Sequence, residues 1–361
     1  MKKQSEKILI TNPGGTTTKI AIYHGDVAVV KETLRHSLEQ MAQFDSVWDQ
    51  MDMRRQDLEQ WAEAHGHRMD SFDLFVSMCG LIAPADPGVY ILDEEILEDM
   101  RTDKYGAHPL NPGCVLMYEL GQEYDVPAIT LDPSQTKEMM PIAYYSGHPL
   151  MPRKCAYHVL NQKATARMAA KELGREYEEV NLIVAHVGSG TTVGAHSNGV
   201  TLDVNMGIES DGPFSSVRTG TLPLYELIEL CFSGEYSVRD VHNLASVKGG
   251  LAAYLGTSDG LEIEDRIQSG DEKAEEAVDA MNYQVAKEIG QRAVTLKGKI
   301  DGIVITGGLA NWPRVVEGIG EWVEHLAPIF VFPGENELEA LAAGALRYLR
   351  GEVEANKFEK G

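Results

Sequence analysis

Apolar and polar positions alternate along this chain in strand-length runs separated by helix-length ones, and two of the strand regions repeat one plan. Residues 7–30, KILITNPGGTTTKIAIYHGDVAVV, hold three apolar runs (8–11, 20–23 and 27–30) joined by a Gly/Thr turn and a His-Gly-Asp turn. Residues 181–204, NLIVAHVGSGTTVGAHSNGVTLDV, hold three more (182–186, 193–196 and 200–204), with 188–192 as the loop and Asn198-Gly199 as a hairpin turn. Gly14 and Gly188 stand 174 residues apart, close to half the chain. Two similar domains, each opening on an antiparallel hairpin, account for this economically. Apolar steps of three and four residues predict helices over 39–65, 159–173 and 272–296, and a last helix over 336–349 between Gly334 and Gly351. Strand-length runs at 74–78, 128–131, 302–306 and 329–332 alternate with them. Strands mixed with helices make the fold α/β.

Composition narrows the class. The chain has 361 residues, 43% hydrophobic, enough for two cores. The first residues are polar and no apolar run reaches membrane length, so a cytoplasmic protein with no membrane partner is expected. Cys79, Cys114, Cys155 and Cys231 are scattered and form no CxxC pair, which favours isolated thiols over a disulfide or metal framework. A formal charge of −23 disfavours nucleic acid as a partner. A nucleotide is not excluded, because one phosphate cluster needs only local donors.

The two loops supply such donors. Asn12-Pro13-Gly14-Gly15-Thr16-Thr17-Thr18-Lys19 combines glycines that let backbone N–H groups approach phosphate oxygens with three hydroxyls and a cation. It lacks the order of a P-loop and opens no helix; a polar hairpin with an exposed lysine is the plain alternative. His186-Val187-Gly188-Ser189-Gly190-Thr191-Thr192 has the same character, and two such loops at matching positions favour phosphate binding. Gly307 and Gly308, after the run 302–306, suit a nucleoside lying against backbone, or simply a tight turn. Asp132 ends a strand and suits Mg²⁺ or a turn. Arg218 suits a phosphoryl group or the surface, and His158 and His186 each follow an apolar run, where a structural histidine is the commoner occupant.

TNPGGTTTK, HVGSGTTVGAHSNGVTLDVN, DGPFSSVRTGTLP, HVLNQKATAR, residues 244–257, VITGGLA and PGENELEALAAGALRYLRG together resemble the acetate and butyrate kinases (the acetokinase family) over essentially the whole chain. Length and the DVN…DGPFS region resemble the butyrate kinase branch. The resemblance implies a duplicated actin-like ATPase fold, domains at 1–176 and 177–361, ATP or ADP in the interdomain cleft, and a last helix (about 336–350) returning to the first domain. It implies Asn12, Thr17 and Lys19 in the catalytic site with Gly14 and Gly15 beside them. Gly188, Ser189, Gly190 and Thr191 would hold the nucleotide phosphates, and Gly307 and Gly308 the nucleoside. Asp132 with Glu337 or Glu339 would serve Mg²⁺, while His158, His186 and Arg218 would surround the transferring phosphoryl. The implied reaction is reversible transfer of the ATP γ-phosphoryl to a short- or branched-chain carboxylate, giving an acyl phosphate used in fermentation, by a homo-oligomer.

Two positions depart from the family pattern. Ser77-Met78-Cys79-Gly80 replaces a Gly-Arg-Gly-Gly segment, and Gly15 stands where serine is usual. Met78 forgoes a charge-assisted bond, a contribution of about 1.5–3 kcal/mol. A catalytically weakened nucleotide-binding paralogue is therefore the second expectation. A small-alcohol kinase with Asp203 or Asp211 as base is the third.

Overall fold

The computed structural model describes residues 5–359, and these form two compact units: residues 5–137 with 337–359, and residues 138–336. In chain order the first unit begins with β1 (Lys7–Pro13), β2 (Thr17–His24), β3 (Val27–Arg35), α1 (Leu38–Met41), α2 (Met51–Ala64), β4 (Leu74–Met78) and β5 (Val89–Ile91). It continues through α3 (Glu94–Arg101), α4 (Leu110–Tyr124), β6 (Ala128–Leu131) and the two-residue β7 (Gln135–Thr136). The second unit holds β8 (Cys155–Ala156), α5 (Val159–Glu172), β9 (Asn181–Val187), β10 (Thr191–Ser197), β11 (Val200–Val204), α6 (Leu224–Phe232), α7 (Val238–Ser246) and α8 (Gly250–Leu255). After them come α9 (Gly260–Gln268), α10 (Glu272–Thr295), β12 (Gly302–Gly307), α11 (Pro313–Val323) and β13 (Ile329–Pro333). The chain ends back in the first unit with α12 (Glu337–Leu349) and β14 (Ala355–Asn356).

Both units share one sheet plan. β1 and β2 are antiparallel, β2 and β3 antiparallel, and β4 lies parallel to β1, within the order β14-β5-β6-β4-β1-β2-β3. In the second unit β9, β10 and β11 repeat the antiparallel meander and β12 lies parallel to β9, in the order β11-β10-β9-β12-β13. The second-to-third strand pairing breaks register in both, at Ile22/Tyr23 and at Ala195/His196. The repeat expected from the sequence is thus a duplication of topology.

Alternation along the strands decides which face each side chain meets. On β9, Leu182 and Val184 pack with Ala166 and Ala169 of α5, whereas Ile183 and Ala185 pack with Val278 and Met281 of α10. On β1, Leu9 enters the core built by Leu58, Trp61, Cys114 and Met117 of α2 and α4.

Two expectations are corrected. The boundary does not fall at 176/177: α5 buries its apolar stripe on β9 and β12, so the second unit already begins at Glu138. The helix expected over 39–65 is broken, because Ser46 N and Oγ both donate to Asp49 (2.8 and 2.9 Å), which starts a new helical segment ahead of α2. The four cysteines are all free thiols. Among the described residues no helix is long and apolar enough to cross a membrane.

Candidate active site

The β1–β2 loop of the first unit is shaped from beneath by a buried arginine. Arg54 of α2 donates to the carbonyls of Gly14 (2.8 Å), Gly15 (3.2 Å) and Thr17 (3.2 Å), to Thr18 Oγ1 (2.7 Å) and to Gln50 Oε1. Gly14 N closes the turn on Thr17 O at 2.7 Å. With its carbonyls drawn inward, the loop tip at Gly15 and Thr16 is exposed, and no acceptor among the described residues takes either N–H. Open donors on a glycine turn form an anion-binding concavity.

Beside this loop the strand register places Asn12 opposite Lys19. Both reach Glu337, the first residue of α12: Asn12 Nδ2 donates to Oε2 at 2.5 Å and Lys19 Nζ at 2.9 Å. The helix N-terminus further favours a carboxylate there. Glu339 instead pairs with Lys31 at 2.5 Å on an exposed flank, so of the two glutamates Glu337 is the one gathered with Asn12 and Lys19. Asp132 follows β6 at φ 46° and clips the chain, accepting from Gly88 N at 2.8 Å while its own N donates to Gly88 O at 2.9 Å. Met78 ends β4, and its carbonyl accepts from Cys114 Sγ at 3.2 Å.

The second unit builds its loop by the same device with different residues. Ser215 Oγ donates to Ser189 O (2.5 Å) and Ser216 Oγ to Gly188 O (3.4 Å), drawing the carbonyls inward. Among the described residues, the N–H groups of Gly188, Ser189 and Gly190 have no acceptor. Two buried polar atoms at the loop also lack a partner, Thr191 Oγ1 and Arg218 Nε. Arg218 is held by Nη1 on Gly207 O at 2.6 Å. Its guanidinium lies against Gly190, where any Cβ would collide with it. Gly307, at φ 92°, turns the end of β12 so close to the Val187 carbonyl that only glycine fits. Gly308 N is 3.8 Å from where a Gly188 Cβ would sit. A pocket of about 470 Å³ opens from Gly308 along Leu309, Asn311 and Trp312 to Asp259 and Arg314.

Alternation also explains the histidines. His186 shares the α5 face of β9 with Leu182 and Val184, and its sheet partners are Thr192 and Thr306. His158 precedes α5, and its ring stacks on His186 at 3.7 Å between centroids and 10° between planes. Burial, the neighbouring His186 and the Arg218 charge hold His158 well below the usual imidazole range. Burial and Arg218 bring His186 down to about 3. Both rings are therefore neutral at pH 7.

Each unit thus gathers its own candidates: Asn12, Gly14, Gly15, Thr17, Lys19 and Glu337 in the first, and His158, His186, Gly188, Ser189, Gly190, Thr191, Arg218, Gly307 and Gly308 in the second. Sequence reasoning missed Arg54, Ser215 and Ser216, and also Asn161, whose Oδ1 lies 2.7 Å from His186 Nδ1, and Gln162, which donates to Thr192 Oγ1 at 2.8 Å. Arg54 did leave a trace, a charge on the stripe of Leu58 and Trp61. The serines were visible only as part of DGPFSSVRTG.

Comparison with known proteins agrees with this duplication. A family model described as the acetokinase family matches residues 129–327. A Listeria innocua protein designated a probable butyrate kinase is 44% identical over 347 residues, spanning 96% of this chain and 98% of its own. A Listeria welshimeri protein of the same designation is 44% identical over 95% of this chain and 97% of its own. In fold, the chain is similar to Porphyromonas gingivalis acetate kinase (TM-score 0.79, 18% identity, 96% of this chain and 100% of that one). It is similar also to a Francisella tularensis propionate kinase (TM-score 0.75, 18% identity, 93% and 98%). The fold is accordingly the duplicated actin-like one, and at this identity over nearly its whole length the chain belongs to the acetokinase family.

Proposed function

We propose that this protein is an ATP-dependent carboxylate kinase that reversibly converts butyrate, or a related short- or branched-chain acid, to its acyl phosphate. The observation that carries the proposal is the pair of glycine turns with carbonyls tied inward and N–H groups left outward, one of them flanked by the orphaned Thr191 Oγ1 and Arg218 Nε. These are the donors a phosphate chain requires.

In this reading Gly188 to Thr191 take the nucleotide phosphates, and the base lies in the pocket running from Gly308 past Leu309. Lys19 and Asn12 meet the transferring phosphoryl, with Gly14, Gly15 and Thr17 as the supporting turn. The carboxylate oxygens of Glu337 and Asp132 are the hard donors that Mg²⁺ takes, and Mg²⁺ when bound neutralises phosphoryl charge. The acceptor acid, with a pKa of about 4.3, is already ionised at pH 7. No general base is needed; the task is to bring two anions together, which cations and aligned donors do. Arg218 and Lys19 carry that load, since Met78 adds no charge.

Neither carboxylate named for the alcohol-kinase alternative is uncommitted. Asp203 is held by Arg153 at 3.0 Å and by Arg292, and Asp211 accepts from Met206 N and Thr221 Oγ1. A homo-oligomer belongs to the same proposal, and light scattering that returns the mass of one chain at assay concentration would remove it. The activity is tested by hydroxamate trapping with MgATP, hydroxylamine and C2 to C6 acids. Hydroxamate is expected, with its maximum near C4. No product from any acid, with ATP binding intact, would overturn the proposal.

A further inference from the structure

Behind the stacked imidazoles runs a buried chain of hydrogen bonds whose donor directions are fixed by chemistry. Gln162 Nε2 donates to the backbone carbonyl of Thr192 (3.0 Å), which only an amide nitrogen can do, so the side chain has one orientation. His196 Nε2 lies 2.9 Å from Gln162 Oε1, an acceptor, and therefore carries its proton there. His196 Nδ1 is then free to accept from Tyr177 OH at 2.7 Å. Gln162 Nε2 donates also to Thr192 Oγ1 at 2.8 Å. Thr192 is fully buried, and its remaining partner is His158 Nδ1 at 2.9 Å. The hydroxyl proton has nowhere else to go, so His158 Nδ1 accepts it.

His186 is wired the opposite way. Asn161 Nδ2 donates to Glu335 O at 2.6 Å, which leaves Oδ1 as an acceptor 2.7 Å from His186 Nδ1. A neutral ring that donates from Nδ1 keeps a bare lone pair on Nε2. Among the described residues, neither His158 Nε2 nor His186 Nε2 has a hydrogen-bond partner or is sealed from solvent.

We infer that Gln162, through Thr192, and Asn161 fix opposite tautomers on the stacked pair, so that His158 offers an N–H and His186 an unprotonated nitrogen to the site. Gln162, Thr192 and Asn161 are positioning residues in this scheme. A neutral N–H aimed at a phosphoryl group stabilises developing charge at the moment of transfer with no reorganisation. The role of His158 rests on the phosphate reading above; the tautomers do not.

The test is a long-range ¹H–¹⁵N correlation on histidine-labelled protein at pH 7, with signals assigned from His158→Asn and His186→Asn. His158 is expected to carry its proton on Nε2 and His186 on Nδ1. A His158 proton on Nδ1 in the unsubstituted protein overturns the scheme without recourse to any variant. In Gln162→Glu the carboxylate accepts the Thr192 hydroxyl, so His158 must donate from Nδ1. The spectrum should show that switch, and kcat should fall by about 10²-fold while KM for ATP moves far less. Switched tautomers with unchanged kcat would overturn the positioning role. Full activity in His158→Asn would instead count against the phosphate reading itself.

Discussion

Arg54 shows how one buried charge shapes a functional loop. It is 4% exposed and answers three carbonyls, a hydroxyl and the Gln50 amide. Arg54→Met leaves those acceptors orphaned, and urea denaturation is expected to show a loss of about 2–4 kcal/mol. Arg54→Lys should recover only part of it, because an ammonium cannot span the fork. At Gly190 even one methyl group must displace the Arg218 guanidinium. Gly190→Ala is therefore expected to weaken ADP binding at least tenfold by calorimetry, with the thermal midpoint nearly unchanged. Met78→Arg places a cation at the end of β4, and steady-state kinetics should show higher turnover; an unchanged or lower rate would mean that transfer does not depend on a cation there. The buried His186 imposes a pH dependence on folding. Its folded pKa is lowered to about 3, so protonation favours the unfolded chain. Its stabilising effect is complete above pH 6.5 and is lost as pH falls from there towards 3. Between pH 7.5 and 5.5 the loss is about 1 kcal/mol, and His186→Asn should show a correspondingly flatter profile in urea melts.

Among the elements, strand alternation does the placing. It sends Asn12 to the face opposite Leu9 and brings His186 under the start of α5. Both hairpins were legible because Gly/Thr and Asn-Gly turns interrupt period-two apolar runs; Asn198 and Gly199 do adopt positive φ. Helix α10 was equally plain from its length and spacing. The break before α2 was not, since a Ser46–Asp49 clip carries no apolar signature. Helix α4 meets the first loop through a glycine. A Cβ on Gly113 would press into the rigid Pro13 ring at the end of β1. Gly113→Ala gains up to about 1 kcal/mol of helix propensity but overpacks a rigid contact at about 1–3 kcal/mol. The clash is expected to win, giving a lower thermal midpoint and a reduced kcat from a shifted loop.

For the molecule as a whole, duplication could be read from two matching hairpins, but the division between units could not. The chain leaves the first unit after Lys137 and returns to it at Glu337, and nothing local in the sequence marks which sheet α5 will cover. The excess of acidic residues disfavours a polyanionic partner, while cations such as Lys19 and Arg218 stand beside the turns. Ligand binding should register in global stability. MgADP at 100 times its Kd adds about 2.7 kcal/mol, measurable as a raised thermal midpoint. The most direct test of the account runs the reaction backwards: butyryl phosphate and MgADP are mixed with the protein and ATP is followed by ³¹P NMR. ATP is expected to form, and Lys19→Met to slow its formation by about 10²-fold or more. Bound MgADP that gains no γ-phosphoryl from any short acyl phosphate would contradict it.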